Sequence, residues 1–382
     1  MQNVKLDNKD CCGCTACYSI CTRNAIIMVE DGKGFKYPQI NEKLCNKCGL
    51  CKKVCNFDIF KSNEKNIKCY AVKHKDENEI VSSRSGAVFI ALAELVLKQN
   101  GVVFGVEFDT VNHIIHKQEN DKSGVNKFKG SKYVQSDMKE CFSECERLLI
   151  EGKKVLFSGT ACQIDGLLSF MRIKKVDISN LITVDIICHG VPSPKVWQVY
   201  LTHLNRKKEP LTLVDMRDKS IGWHQYGMKI ASASHHLYVG KAVKNTYSKG
   251  FLADLYLRPS CHHCPARSGR SQSDFTLGDF WGIRRFYPAF DDNQGVGLVF
   301  VYSEQAMNLY KDLDVLQIEA TYGQAILDNP CIEHNALQTS FREEFWKRFP
   351  KEGIPVIDKL CRKKKKPIGY RIINRLYKWI RT

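Results

Sequence analysis

Two runs of cysteine near the start constrain this chain more than any other feature. The first is Cys11-x2-Cys14-x2-Cys17-x3-Cys21 and the second is Cys45-x2-Cys48-x2-Cys51-x3-Cys55. The second repeats the first at an offset of 34 residues, so the segment is an internal duplication. Three thiolates at this spacing curl around one [4Fe–4S] cubane, and the fourth cysteine ligates the other. Cys11, Cys14, Cys17 and Cys55 are therefore expected to hold one cluster, and Cys45, Cys48, Cys51 and Cys21 the second. Zinc sites favour C-x2-C pairs separated by a longer spacer, which neither run shows. The proline that often follows the fourth cysteine is replaced by Thr22 and Asn56. That proline shapes the turn and is no ligand. Cys12 is the odd cysteine of the pair of runs and is read as a packing residue.

The chain has 18 cysteines in 382 residues. Its N-terminus lacks a charged start followed by an apolar core, so no signal peptide is expected, and no run reaches the ~18 apolar residues of a membrane span. A cytoplasmic location follows as the expectation, with peripheral contact at the inner membrane face through the tail as a variant. In that reducing setting so many cysteines point to metal or redox use and not to disulfides. The formal charge of +17 is concentrated at one end. Nine basic residues and no acid lie between Arg362 and Arg381. Ile368, Ile372, Leu376 and Ile380 fall four apart there, so a helix would be amphipathic and cationic. It suits an anionic membrane surface at ~1 kcal/mol per basic residue, or a partner protein. No nucleic-acid motif accompanies the charge, and no nucleic-acid partner is expected.

Beyond a polar linker at 61–68 the pattern changes. Cys69–His74, Val102–Phe108, Val155–Phe157, Ile182–Ile187 and Leu298–Val301 read as strands. Gly86–Gln99, Cys141–Ile150, Gln163–Met171 and Pro194–Leu204 read as helices. From Leu211 to Leu257 the segments are β-rich without a readable topology, and after about Glu304 the pattern is helical. The expected fold is an α+β ferredoxin-type module followed by a mixed α/β body and a basic C-terminal helix. The corresponding regions are 1–60, 69–150, 151–330 and 331–382. Four more cysteines stand where chemistry is expected. Cys162 and Cys188 follow strands, at the sheet edge where ligands of α/β folds gather. Cys261 and Cys264 form a C-x2-C pair. Together they are enough for one cubane or one zinc. Cys141, Cys145, Cys331 and Cys361 are read as buried packing residues.

The segments SSRSGAVFIALAELVL, GSKYVQSD, GTACQIDGL, ICHGVPSPKVW, CHHCPAR and DFTLGDFWGI together resemble the beta-subunit family of coenzyme F-420 hydrogenases and dehydrogenases. The likeness runs from about Cys69 to about Tyr302. Members are iron–sulfur flavoproteins that pass electrons between clusters, FAD and a hydride carrier. The resemblance implies a third [4Fe–4S] cluster on Cys162, Cys188, Cys261 and Cys264. It also implies FAD at Ser82, Ser83, Ser85 and Gly86, with Lys132 and Ser136 at the same site and Asp279 as a supporting carboxylate. Small hydroxyl residues and glycine at a helix start suit a pyrophosphate. Arg84 and Ala87 interrupt the family's serine–glycine loop: Arg84 either pairs with a phosphate or marks a changed flavin site. The expected function is a flavin-dependent iron–sulfur oxidoreductase that relays electrons to or from a hydride-accepting coenzyme or small-molecule substrate, with a ferredoxin or other redox protein as partner. The alternative is a non-catalytic electron-transfer subunit that docks on a partner enzyme. A metalloprotein with zinc in the C-terminal site ranks last. No catalytic residue is assigned.

Overall fold

The computed structural model describes residues 9–55 and 67–363. The linker at 61–66 and the basic tail from 364 onward lie outside the described residues. The N-terminal module is a two-stranded antiparallel hairpin, β1 (Ile26–Glu30) and β2 (Lys36–Ile40), with two short helices, α1 (Ala16–Ser19) and α2 (Leu50–Val54). The duplication is visible in the backbone. Gly13 and Lys47 have positive φ, as do Thr15 and Gly49, and each pair is separated by the same 34 residues as the cysteines. Left-handed backbone is costly for a β-branched residue such as Thr15, so the loop shape is held by its surroundings.

The body continues in chain order with β3 (Lys68–His74), α3 (Glu77–Ser82), α4 (Val88–Leu97), β4 (Val102–Thr110), β5 (His113–Glu119), α5 (Lys122–Asn126), α6 (Cys141–Ile150), β6 (Val155–Thr160), α7 (Ala161–Lys174), β7 (Leu181–Ile186) and α8 (Pro194–Leu204). Then follow β8 (Leu211–Asp218), β9 (Gly227–Ser232), β10 (His236–Lys241), α9 (Thr246–Leu252), β11 (Phe275–Asp279), α10 (Ile283–Phe286), β12 (Gly297–Val301), α11 (Glu304–Lys311), β13 (Val315–Ala320), α12 (Tyr322–Leu327), α13 (Phe341–Glu352) and α14 (Pro355–Lys363). Eight strands make one sheet in the order β13-β3-β12-β11-β7-β6-β4-β5. Its centre, β11-β7-β6-β4, is parallel, and the outer strands are antiparallel. Near-continuous apolar runs such as Val155–Phe157 are what strands covered on both faces require. The sheet takes strands from both the 69–150 and the 151–330 regions. The β-rich stretch that could not be ordered from sequence is a separate three-stranded antiparallel sheet, β10-β9-β8. The β-strand at Val315–Ala320 lies in a segment whose pattern reads as helical. It is an edge strand paired to β3, and its outward residues are polar or exposed, so its sequence carries little period-2 signal.

The N-terminal module shares a core with the body. Ala16, Cys17, Ile20 and Val54 pack among Phe142, Cys145, Ile164, Leu167 and Phe170 of α6 and α7. One side chain ties the two together. Arg258, fully buried, donates from Nε to the Cys11 carbonyl at 2.6 Å and from Nη2 to the Lys36 carbonyl at 2.8 Å. Its Nη1 donates to Gln135 Oε1 at 2.8 Å, and its guanidinium lies 4.4 Å from the Tyr37 ring centre. The Ser193 hydroxyl adds a bond to the Lys33 carbonyl at 2.5 Å. Replacing Arg258 by alanine leaves buried acceptors unmet and removes a cation–π contact. We expect a loss on the order of 3 kcal/mol of stability. Limited proteolysis should then cut between the module and the body faster than in the wild type. Unchanged cleavage and an unchanged denaturation midpoint would contradict this role.

Candidate redox site

The two ferredoxin-type cysteine sets differ in depth. Cys11, Cys14, Cys17 and Cys55 line one cavity together with Cys12, Cys162 and Asp165. Burial and the neighbouring Cys11, Cys55 and Cys51 push the Cys17 thiol well up. Left-handed residues at 13 and 15, and again at 47 and 49, curve the chain into the kind of N–H concavity that receives an anionic iron–sulfur core. The other set faces outward. Cys48 is exposed, and Cys21, Cys45 and Cys51 are half-buried. The Ala25 amide donates to Cys21 Sγ at 3.3 Å.

The body brings the third set together from three distant segments. Cys162 is the second residue of α7, which starts where β6 ends. Gln163 Oε1 accepts from the Thr160 amide at 2.9 Å and fixes that start. Cys188 follows β7, and Cys261 and Cys264 come from a short 3-10 turn at Pro259–His263 and just after it. All four line a second cavity. They are close enough to raise one another's proton affinity on top of burial, with Cys261 pushed up to about 12 and Cys264 to about 11. Four half-buried sulfurs lining one space are poor partners for each other as thiols and a fitting donor set for a metal cluster that binds thiolates. The Val191 amide donates to Cys261 Sγ at 3.3 Å, and the Arg267 guanidinium donates to the Cys188 and Cys331 carbonyls.

Several members of this site are not readable from the sequence. Cys12 lines both cavities and sits within hydrogen-bonding reach of Cys14 and Cys162. It stands between them, in keeping with a packing residue beside the cluster. Gly166 is pressed by the module as well. A Cβ there would lie 2.8 Å from Cys14 Sγ. Cys331 lines the second cavity, whereas Cys141 and Cys145 pack in the core as expected. Asp165 and Asp185 flank the cavities, and burial raises both carboxyls, Asp185 to about 6. The Ser271 and Thr276 hydroxyls donate to Asp185.

Around Asp215 and Asp279 four cations crowd together. Arg84 pairs with Asp215 at 2.8 Å, and Arg217 pairs with Asp279, whose other oxygen accepts from Trp223 Nε1 at 2.8 Å. Lys132 donates to the carbonyls of Lys127, Phe128 and Lys129, the open end of α5. Burial and Arg84 nonetheless pull it down to about 7. Lys219 donates to the Ile80 and Gln294 carbonyls and is pulled to about 8 by burial, Arg84 and Arg217. Buried Arg84 Nε, Arg217 Nε and Nη2, and Ser83 Oγ complete no hydrogen bond. Buried donors without partners are rare, and a cluster of them on cations fits a polyanion such as a pyrophosphate.

The serine loop itself is partly committed to the protein. Ser82 Oγ bonds the Glu79 carbonyl and receives Lys129 Nζ at 2.9 Å. Ser85 Oγ donates to the Val296 carbonyl at 2.8 Å. Gly86 is needed because a Cβ would lie 2.0 Å from the Val72 carbonyl oxygen. Ala87 takes φ 59 to begin α4. Ser136 accepts from Gln163 Nε2 at 3.2 Å, at the start of α7.

Comparison with known proteins places the two parts of the chain. Residues 152–321 match the model for the C-terminal part of the beta subunit of coenzyme F420 hydrogenase/dehydrogenase. Residues 10–59 match the 4Fe-4S dicluster domain. The chain belongs to the coenzyme F420 hydrogenase/dehydrogenase beta-subunit family and carries a 4Fe-4S dicluster domain at its N-terminus. It is thus an iron–sulfur electron-transfer protein of an oxidoreductase family. An uncharacterized ferredoxin of Methanocaldococcus jannaschii is 32% identical over 76 residues, 20% of this chain and 91% of that protein. A chain in the xenon-derivatised structure of the F420-reducing [NiFe] hydrogenase complex from Methanosarcina barkeri superposes with a TM-score of 0.48 at 14% identity. The alignment covers 81% of this chain and 94% of that one. Among the described residues no helix is long and apolar enough to cross a membrane.

The crowded lysines give a pH signature. Lys132 and Lys219 lie below the ordinary lysine value, so the folded chain binds fewer protons than the unfolded one between about pH 7 and about pH 10. Their burial therefore costs stability increasingly as pH falls through that window. Every tenfold loss of proton affinity corresponds to about 1.4 kcal/mol. We expect Lys132→Met to gain on the wild type as pH is lowered from about 10 to about 7, measured by denaturant unfolding at each pH. A difference independent of pH would show that the ammonium is not penalised.

Proposed function

We propose that this protein is a cytoplasmic iron–sulfur flavoprotein oxidoreductase that relays electrons between three [4Fe–4S] clusters and FAD, to or from a hydride-accepting coenzyme or small substrate. The observation that carries the reading is the convergence of Cys162, Cys188, Cys261 and Cys264 on one cavity; a separate group of cations with unpartnered buried donors supports the flavin part of it. In this reading Cys11, Cys14, Cys17 and Cys55 hold the inner cluster and Cys21, Cys45, Cys48 and Cys51 the outer one. Cys162, Cys188, Cys261 and Cys264 hold the third. Ser83, Arg84 and Arg217 would offer open donors to the anionic part of the flavin, with Lys132 and Lys219 adding positive charge beside them. When bound, the clusters carry single electrons and the flavin pairs them for two-electron chemistry. Asp279 orients Arg217 and Trp223. Arg258 and Gln135 hold the Cys11–Cys12 backbone against the body. The buried walls on both sides of Cys12 keep water away from the sulfurs.

The alternative is an electron-transfer protein without flavin. It is favoured by Ser85 and Arg84 already being bonded within the protein. Anaerobic purification separates the two. About twelve irons per chain and a flavin released on denaturation are expected. Iron without flavin would select the alternative. The double variant Cys261→Ala/Cys264→Ala should lower iron to about eight and leave the electron paramagnetic resonance of the N-terminal clusters in place. Iron that stays near twelve in that variant would remove the third set from the proposal.

A further inference from the structure

The outer cysteine set lies in an exposed positive surface. Lys43, Lys47, Lys52 and Lys53 are all exposed, and Glu42 is the one acid between Asn41 and Cys55. Two of these lysines sit in the last turn of α2, directly behind Cys51, and Lys47 precedes the exposed Cys48. Exposed Arg23 joins them, because the Asn41 amide bonds the Ala25 carbonyl at 2.7 Å and brings the 22–25 turn beside the 41–44 turn. Leu44 adds an exposed apolar centre at 46% accessibility. None of these five cations takes part in an ion pair among the described residues, whereas lysines on the body commonly do. The inner set, by contrast, has two buried members, Cys11 and Cys17, and lines a cavity together with Cys162 and Asp165 of the body.

We infer that this face of the N-terminal module is the docking surface for an acidic one-electron carrier protein. The inference rests on the reading of Cys21, Cys45, Cys48 and Cys51 as cluster ligands, and it adds the surface, its charge and the class of partner. Complementary charge steers encounter and fixes orientation more than it adds affinity. Here it aims an acidic carrier at the most exposed cysteine of the set. Transfer moves one electron from the reduced carrier into the outer set, oxidising the carrier and reducing this protein, and makes or breaks no bond. The pinning of the inner set by Arg258 leaves the outer face as the way in.

The test uses the anaerobically purified full-length holoprotein with an acidic bacterial [4Fe–4S] ferredoxin as the probe. Calorimetric binding and stopped-flow re-oxidation of the reduced probe are measured at low and at moderate salt. Affinity and second-order rate should each fall about tenfold as salt is raised. The fourfold variant Lys43→Glu/Lys47→Glu/Lys52→Glu/Lys53→Glu should lower both about tenfold or more at low salt. Its reduction by dithionite should be unchanged. A control reversing Arg206, Lys207 and Lys208, which are exposed on the loop after α8, should change neither. Equal losses in the control and the fourfold variant, or no loss in the latter, overturn the inference. Iron measured on the same samples tells the two readings apart. Iron well below about eight in the wild type is a failure of the cluster assignment, and full iron with unaltered binding is a failure of the surface.

Discussion

A single buried arginine decides how this molecule is assembled. Arg258 comes from the loop before the Cys261–Cys264 pair, yet its donors end on the Cys11 and Lys36 carbonyls of the module. A guanidinium placed fully inside a protein is tolerated only when its N–H groups are met and its plane is covered. Cys11, Lys36 and Gln135 meet them, and the Tyr37 and Phe35 rings cover it. Arg258 also lines the cavity of the third set, so one residue touches the inner set and borders the other. Everything that depends on the spacing of the two cavities inherits this contact.

The second organising fact is electrostatic. The parallel centre of the sheet ends where Cys162, Cys188 and Asp279 stand. Burial makes each of these groups expensive in isolation, and the sequence answers with opposite charges on β8 and around it. Arg217 lies against Asp279, and Arg84 against Asp215. The balance within the protein is incomplete. Donors on both arginines remain without acceptors, and two lysines are held below their ordinary proton affinity. Buried cationic donors left open in this way suit an anionic partner.

Much of this is legible in the chain. The cysteine spacing announces two clusters, and the same 34-residue period reappears in the left-handed backbone at Gly13, Thr15, Lys47 and Gly49. Strand-ending cysteines at 162 and 188 point to the sheet edge where the second cavity lies, because a parallel strand followed at once by a helix leaves few alternatives. What escapes depends on pairings remote in sequence. Arg217 and Lys219 sit at and just beyond the end of β8, in a stretch whose alternation is blurred by bulges at Leu211/Leu213 and Asp215/Asp218. β13 hides in a helical-looking region because its partner, β3, lies some 250 residues earlier. Cys12 reads as the spare cysteine since nothing in local spacing reveals that the body closes over it. Ser136 is assigned to the flavin site only by the resemblance, and its hydrogen bond is to Gln163.

Gly166 carries a historical implication. A glycine in the middle of a helix costs about 1 kcal/mol relative to alanine, and in α7 that cost is incurred because a methyl group would strike the Cys14 sulfur. The residue thus records, on the body's own surface, the shape of a module encoded more than a hundred residues upstream. Without the module, a methyl group here would keep only an ordinary van der Waals contact with Phe142, so alanine would be expected to fit in a body that lacks it. The identity of one helical position can therefore distinguish bodies that evolved with a docked ferredoxin from those that acquire their electrons from a separate chain.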